Sequence, residues 1–192
     1  MAIQINGNGT ITGISVGGLP DGIVDTDMIA NNAVTTAKST ITSGKVLQVV
    51  TGTTETRVEI SGGTGTWHDT NLHASITPAS SSNKVLVMVS GSLHTGNTSS
   101  GAITVFRGGS SGTDIGGANG YGMISVHGTG TTGGGGGTQN GGFTVLDTPN
   151  TTSATEYRVR LKRVWAGAGG NTQFPSSNNY EKATIILMEI AA

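Results

Sequence analysis

The chain has 192 residues, only 11% of them charged against about 25% in an ordinary soluble domain, and a formal net charge of −1. That balance argues against a nucleic-acid binder working through a dense basic face. The absence of cysteine excludes disulfide scaffolds, thiolate metal sites and cysteine nucleophiles, and no apolar run approaches the length of a membrane span.

The apolar residues point to strands. There are 15 Val and 15 Ile against 8 Leu, with 30 Thr beside them. β-Branched side chains are stiff at χ1 and fit a pleated sheet better than a helix. Leu, Ile, Val and Phe together make up about a fifth of the chain, a lean core of the kind often supplemented by burial between subunits.

Residues 1–44 differ from the rest. The opening Met1-Ala2-Ile3-Gln4-Ile5 has neither a basic region nor an apolar run, so it does not read as a secretory signal. The expectation is a protein that is either cytosolic or leaves the cell by lysis. Turn punctuation at 17–22 precedes the one good helix candidate, over 25–38. Asp25 or Thr26 caps it and Lys38 closes it, as the helix dipole prefers. Val24, Met28, Ile29, Ala33, Val34 and Ala37 form one stripe on it. The stripe packs either on the main domain or on copies of itself around a symmetry axis.

Residues 45–192 read as strands over 46–50, 55–60, 67–76, 84–93, 102–107, 121–127, 143–147, 155–165 and 182–190. Val58 and Ile60 alternate with Arg57 and Glu59, and Tyr157, Val159, Leu161 and Trp165 alternate with Arg158, Arg160 and Lys162, so each of these strands has one wet face. The runs 85–89 and 185–188 are apolar on both faces, which demands cover on both sides. Leu86, Met88, Ile185 and Leu187 are therefore expected at a subunit interface, together with Val24, Met28, Ile29 and Val34 of the helix. Strands at this spacing predict a mainly β fold, a jelly-roll-like antiparallel β-sandwich.

Residues 101–142 hold 17 of the glycines. No phosphate-loop spacing occurs among them, which leaves either flexible surface loops or recognition loops carried on a rigid scaffold. Trp165, Phe174 and Tyr180 flank the polar stretch 171–179, with Asn171, Gln173, Asn178 and Asn179. Aromatics beside amides suit sugars by stacking and hydrogen bonding, and suit ordinary packing equally. With Asn119 and Tyr121 they form the candidate receptor-binding set. Arg158, Arg160 and Lys162 read as a solvated face pairing with acids such as Glu59 or Glu181, or as a contact for an anionic polymer.

No catalytic pattern is present. His68, His73, His94 and His127 show no facing metal-ligand spacing, although three copies of one His on an axis would make a site. Asp69, Asp114, Asp147 and Glu156 are scattered carboxylates with no sign of a hydrolytic pair. The expectation is a protein that is not an enzyme, with no cofactor and no metal.

The segments Ile3-Gln4-Ile5-Asn6-Gly7-Asn8-Gly9-Thr10-Ile11 and Leu19-Pro20-Asp21-Gly22 resemble the virion-proximal part of bacteriophage tail fibres. Lys45-Val46-Leu47-Gln48-Val49-Val50, Asn71-Leu72-His73-Ala74-Ser75-Ile76-Thr77-Pro78, Thr144-Val145-Leu146-Asp147-Thr148-Pro149 and the C-terminal Ile185-Ile186-Leu187-Met188-Glu189-Ile190 resemble the distal domain of such fibres. The resemblance implies a homotrimer located in the virion tail. Residues 1–44 would be the anchor and short stalk, with Ile3, Ile5, Ile11, Ile14 and Val16 facing other tail or adaptor proteins. Residues 45–192 would be a head that touches a host surface polysaccharide or outer-membrane receptor, without nucleic-acid binding or membrane insertion. The alternatives are a capsid decoration or tail-tip protein without receptor binding, and a polysaccharide depolymerase.

Overall fold

The computed structural model describes residues 4–5, 11–12, 44–96, 99–117, 122–128, 136–166, 170–176 and 181–192. The chain divides into two compact units, Met1–Ile41 and Thr42–Ala192. In the first, β1 (Gln4–Ile5) and β2 (Ile11–Thr12) form a two-stranded antiparallel ladder. The expected helix over 25–38 and residues Ile3, Ile14 and Val16 lie outside the described residues.

The second unit is built from β3 (Val46–Thr54), β4 (Val58–Ile60), β5 (Trp67–Ile76), β6 (Lys84–Thr95), β7 (Ser99–Arg107), β8 (Thr113–Asp114), β9 (Ile124–His127), β10 (Gly137–Asp147), β11 (Thr155–Ala166), β12 (Thr172–Phe174) and β13 (Ala183–Ile190). No α-helix occurs among the described residues; a single 3-10 turn spans Gly109–Ser111. All pairings are antiparallel. One sheet has the order β3-β13-β6-β12-β4, with β10 on the other side of β6. The second has the order β5-β11-β7-β8, with β9 also on β7.

Strand parity sets the core. Val85, Val87 and Val89 of β6 and Ile185 and Leu187 of β13 face inward from the first sheet. Leu72, Ile76, Val105, Tyr157, Val159 and Leu161 come from the second, and all belong to one buried cluster. The two sheets approach so closely at one edge that Gly52 has no room for a side chain. A Cβ there would sit 2.0 Å from the His73 carbonyl oxygen.

The mainly β, antiparallel expectation agrees with these sheets. β8 and β12 lie outside the expected segments, several strand ends shift by a few residues, and the largest shift is at the start of β10. β10 starts at Gly137 rather than near 143, because Gly137–Gly142 continue the ladder against Thr95–Ser90. Glycine is disfavoured in strands, so propensity hides this half of the strand. Ile185 and Leu187 were expected between subunits, but they are fully buried inside the chain's own core. The outward positions of β13 are the opposite parity, Ile186 and Met188.

Candidate functional site

The topology gathers loops at one end of the second unit. Gly137 stands opposite Thr95, Thr172 opposite Thr95, and Ser100 opposite both His127 and Trp165. The β6–β7, β9–β10 and β11–β12 connections therefore leave from this end. The opposite end holds Gly44, whose N–H donates to the Ala191 carbonyl at 2.9 Å. There the Glu189 carboxylate is fully buried and accepts from Gln48 Nε2 (2.6 Å), the Ala79 N–H (2.7 Å) and Asn83 Nδ2 (2.6 Å). Burial pushes its pKa up, but the hydrogen bonds from Gln48, Asn83, Ala79 and Ser80 outweigh it and hold the group below its ordinary value of 4.5.

At the loop-bearing end Trp165 is 58% exposed. The other members of the expected aromatic–amide set behave differently. Phe174 has no exposure at all; its ring lies in the core over Gly91, where a Cβ would sit 2.8 Å from it. Gln173 is buried, and its Nε2 donates to Glu59 Oε2 at 2.9 Å. Asn171 Nδ2 donates to Glu59 Oε1 at 3.0 Å. These amides serve one carboxylate because β12 pairs with β4 and sets Gln173 opposite Glu59. Asn119, Tyr121, Asn178, Asn179 and Tyr180 lie outside the described residues. Arg163 ties this end together: Nη1 donates to the Ser61 carbonyl and Nη2 to Ser99 Oγ, both at 2.9 Å.

The cationic stripe of β11 has partners on its own sheet. Arg158 Nη1 pairs with Asp69, and its Nε donates to Glu156 Oε1 at 2.9 Å. That bond is the main reason the Glu156 carboxyl lies below its usual range. The Arg160 guanidinium carbon lies 5.2 Å from the Phe106 ring centre and Lys162 Nζ 4.4 Å from that of Trp67. Burial lowers the Lys162 pKa. The expected partners Glu59 and Glu181 are instead bonded to Asn171, Gln173 and Arg57, and to Ser92 and Ser176.

The scattered carboxylates have structural partners. Asp114 Oδ1 accepts from Thr104 Oγ1 at 2.7 Å and from the N–H groups of Gly116 and Gly117 at 3.0 and 3.1 Å. Asp147 accepts from Arg107 Nη1 and, at 2.7 Å, from the buried Tyr157 hydroxyl. Among the described residues no group of three His, Asp or Glu is placed to hold a metal ion.

The outer face of the first sheet was only partly legible in the sequence. Register sets Leu146 opposite Leu86, Leu86 opposite Met188, and Met188 opposite Val49. The next row is Thr144, Met88, Ile186 and Thr51. Leu146 and Val49, at the two ends of the first row, are each 54% exposed. Val46, Leu47 and Met88 are exposed as well. Leu146 was missed because it is a single apolar residue in its strand's outward parity, and Val49 because it shares its outward face with Leu47 alone; the row exists only across four strands.

The chain matches no protein-family model, and no curated protein matches it in sequence.

Proposed function

We infer that this chain is a structural component of a bacteriophage tail fibre, homotrimeric, whose second unit is a jelly-roll head that binds host surface polysaccharide. The observation that carries this reading is the apolar outer face of β10-β6-β13-β3, a contiguous patch on a protein with few apolar residues to spare. Burying it between copies supplements the lean core. Within the six- and five-stranded sheets, the four-strand orders β3-β13-β6-β10 and β5-β11-β7-β9, linked by crossovers, support the jelly roll. The resemblance of residues 1–22 to fibre anchors supports the virion location. Weak single-site binding of a polysaccharide repeat is multiplied when three heads engage one surface.

Light scattering of the purified chain, followed by adsorption to host cells, tests the reading. A trimer that binds cells and competes with free polysaccharide is expected. A monomer, or a trimer without cell binding, overturns it. The flat apolar face also fits a protein lying on a capsid lattice, and locating the chain in particles by cryo-EM separates the two.

A further inference from the structure

A depression lies on the outer face of the first sheet, toward the loop-bearing end. β13 stops pairing with β6 at Ser90, and β12 starts only at His94. Between them, among the described residues, β10 is the one strand paired with β6, with Gly141 opposite Gly91 and Asn140 opposite Ser92. The gap opens a groove of about 370 Å³ lined by Ser90, Gly91, Ser92, Asn140, Gly141, Glu181 and Lys182. That volume is at the small end of the range for ligand sites, about 300–1,000 Å³.

The lining selects a ligand class. Glu181 Oε2 accepts from the Ser92 hydroxyl and, at 2.5 Å, from the Ser176 hydroxyl, while the Ser176 N–H donates to Ser92 Oγ at 2.9 Å. The carboxylate is thus held in one orientation as an acceptor wall. It repels phosphates and acidic sugars. Lys182 also lines the groove, but its Nζ is paired with Glu55 at 3.0 Å, so Glu181, Lys182 and Glu55 together leave this region net negative and unfavourable for an anion. A lone carboxylate is too little for a metal ion. The Ser90 hydroxyl and the exposed Asn140 amide supply both donors and acceptors. Glycine in the floor lets a flat ring rest on backbone.

We propose that this groove is the subsite for one uncharged pyranose ring of the polysaccharide, held by Glu181, Asn140 and Ser90. The proposal rests on the glycan-binding reading above and moves its contact away from the aromatic–amide set, whose amides are bound to Glu59 and whose Phe174 is in the core. The groove borders the apolar rows, sharing Ser90 with a depression lined by Met88 and Ile186. A neighbouring copy seated on those rows closes that side, so the ring enters from the loop-bearing end.

The test is amide chemical-shift mapping on the isotope-labelled full chain, titrated with glucose, galactose and N-acetylglucosamine. Saturable shifts at Gly91, Asn140, Gly141 and Glu181 are expected. Asn140→Trp, at an exposed position, fills the groove and weakens those shifts at least about tenfold with the melting temperature unchanged; Trp165→Ala leaves them intact. Shifts confined to Trp165, Asn171 and their neighbours overturn the groove but keep the glycan reading. No shift with any of the three sugars, together with no adsorption of the trimer to cells, overturns both.

Discussion

Leu86 stands directly opposite Met188 in the β6–β13 ladder, and both leave the sheet on the side away from the core. Leu146 and Val49 extend the pair into a row four strands wide. A charge placed in this row leaves the monomer's core untouched and puts an unpaired ammonium into any copy-to-copy contact. Leu146→Lys is therefore expected to give a folded monomer, with unchanged circular dichroism and a lower molar mass by light scattering. Its melting temperature also falls, because an oligomer's apparent stability includes its association.

Tyr157 donates its buried hydroxyl to Asp147, which also accepts from Arg107 Nη1 at 2.8 Å. Asp147→Ala leaves the hydroxyl without its acceptor, a loss of about 1–3 kcal/mol in chemical denaturation. Burial first, and Asp147 second, push the Tyr157 pKa above the ordinary 10.0. A raised folded-state value means the contribution is complete below about pH 10 and is lost as pH rises further. In a chain carrying Tyr121→Phe and Tyr180→Phe, ultraviolet titration is expected to show no phenolate until the protein unfolds.

The opposite sign holds for Glu189. Its folded-state pKa lies below 4.5, so its contribution is present above that value and is lost as pH falls through the folded-state pKa. Glu189→Gln turns one acceptor into a donor facing the donors Gln48, Asn83 and Ala79. The expected loss at neutral pH is about 1–3 kcal/mol. The variant's unfolding free energy is also expected to vary less with pH in the acid range than that of the wild type, as measured by urea titrations across pH.

Two aromatics of similar appearance in the sequence separate cleanly. Phe174→Ala empties a fully buried site and is expected to cost about 3–5 kcal/mol. Trp165→Ala, at an exposed site, is expected to change stability by less than about 0.5 kcal/mol. Thermal melts of the two variants check the contrast.

Gly52→Ala is expected to destabilise by at least about 2 kcal/mol, since its Cβ meets the backbone of β5 rather than a side chain able to move. Denaturant midpoints measure the loss.

Alternation of β-branched residues with polar ones was enough to place most strands: the segment 67–76 matches β5 at both ends, and the inward parity of Tyr157, Val159 and Leu161 is readable from their spacing. Such patterns are local, because side chains in a strand alternate whatever the strand pairs with. Which strands become neighbours is not local. β3 meets β13 from the far end of the chain, and β12 pairs with both β4 and β6. Those pairings send Gln173 and Asn171 to Glu59, bury Phe174 over Gly91, and open the groove where β13 ends before β12 begins. They also align single apolar residues from four strands into one exposed row. The sequence by itself determined strands, faces and a lean core; the tertiary pairing decided which polar groups are already taken and which surfaces remain to bind.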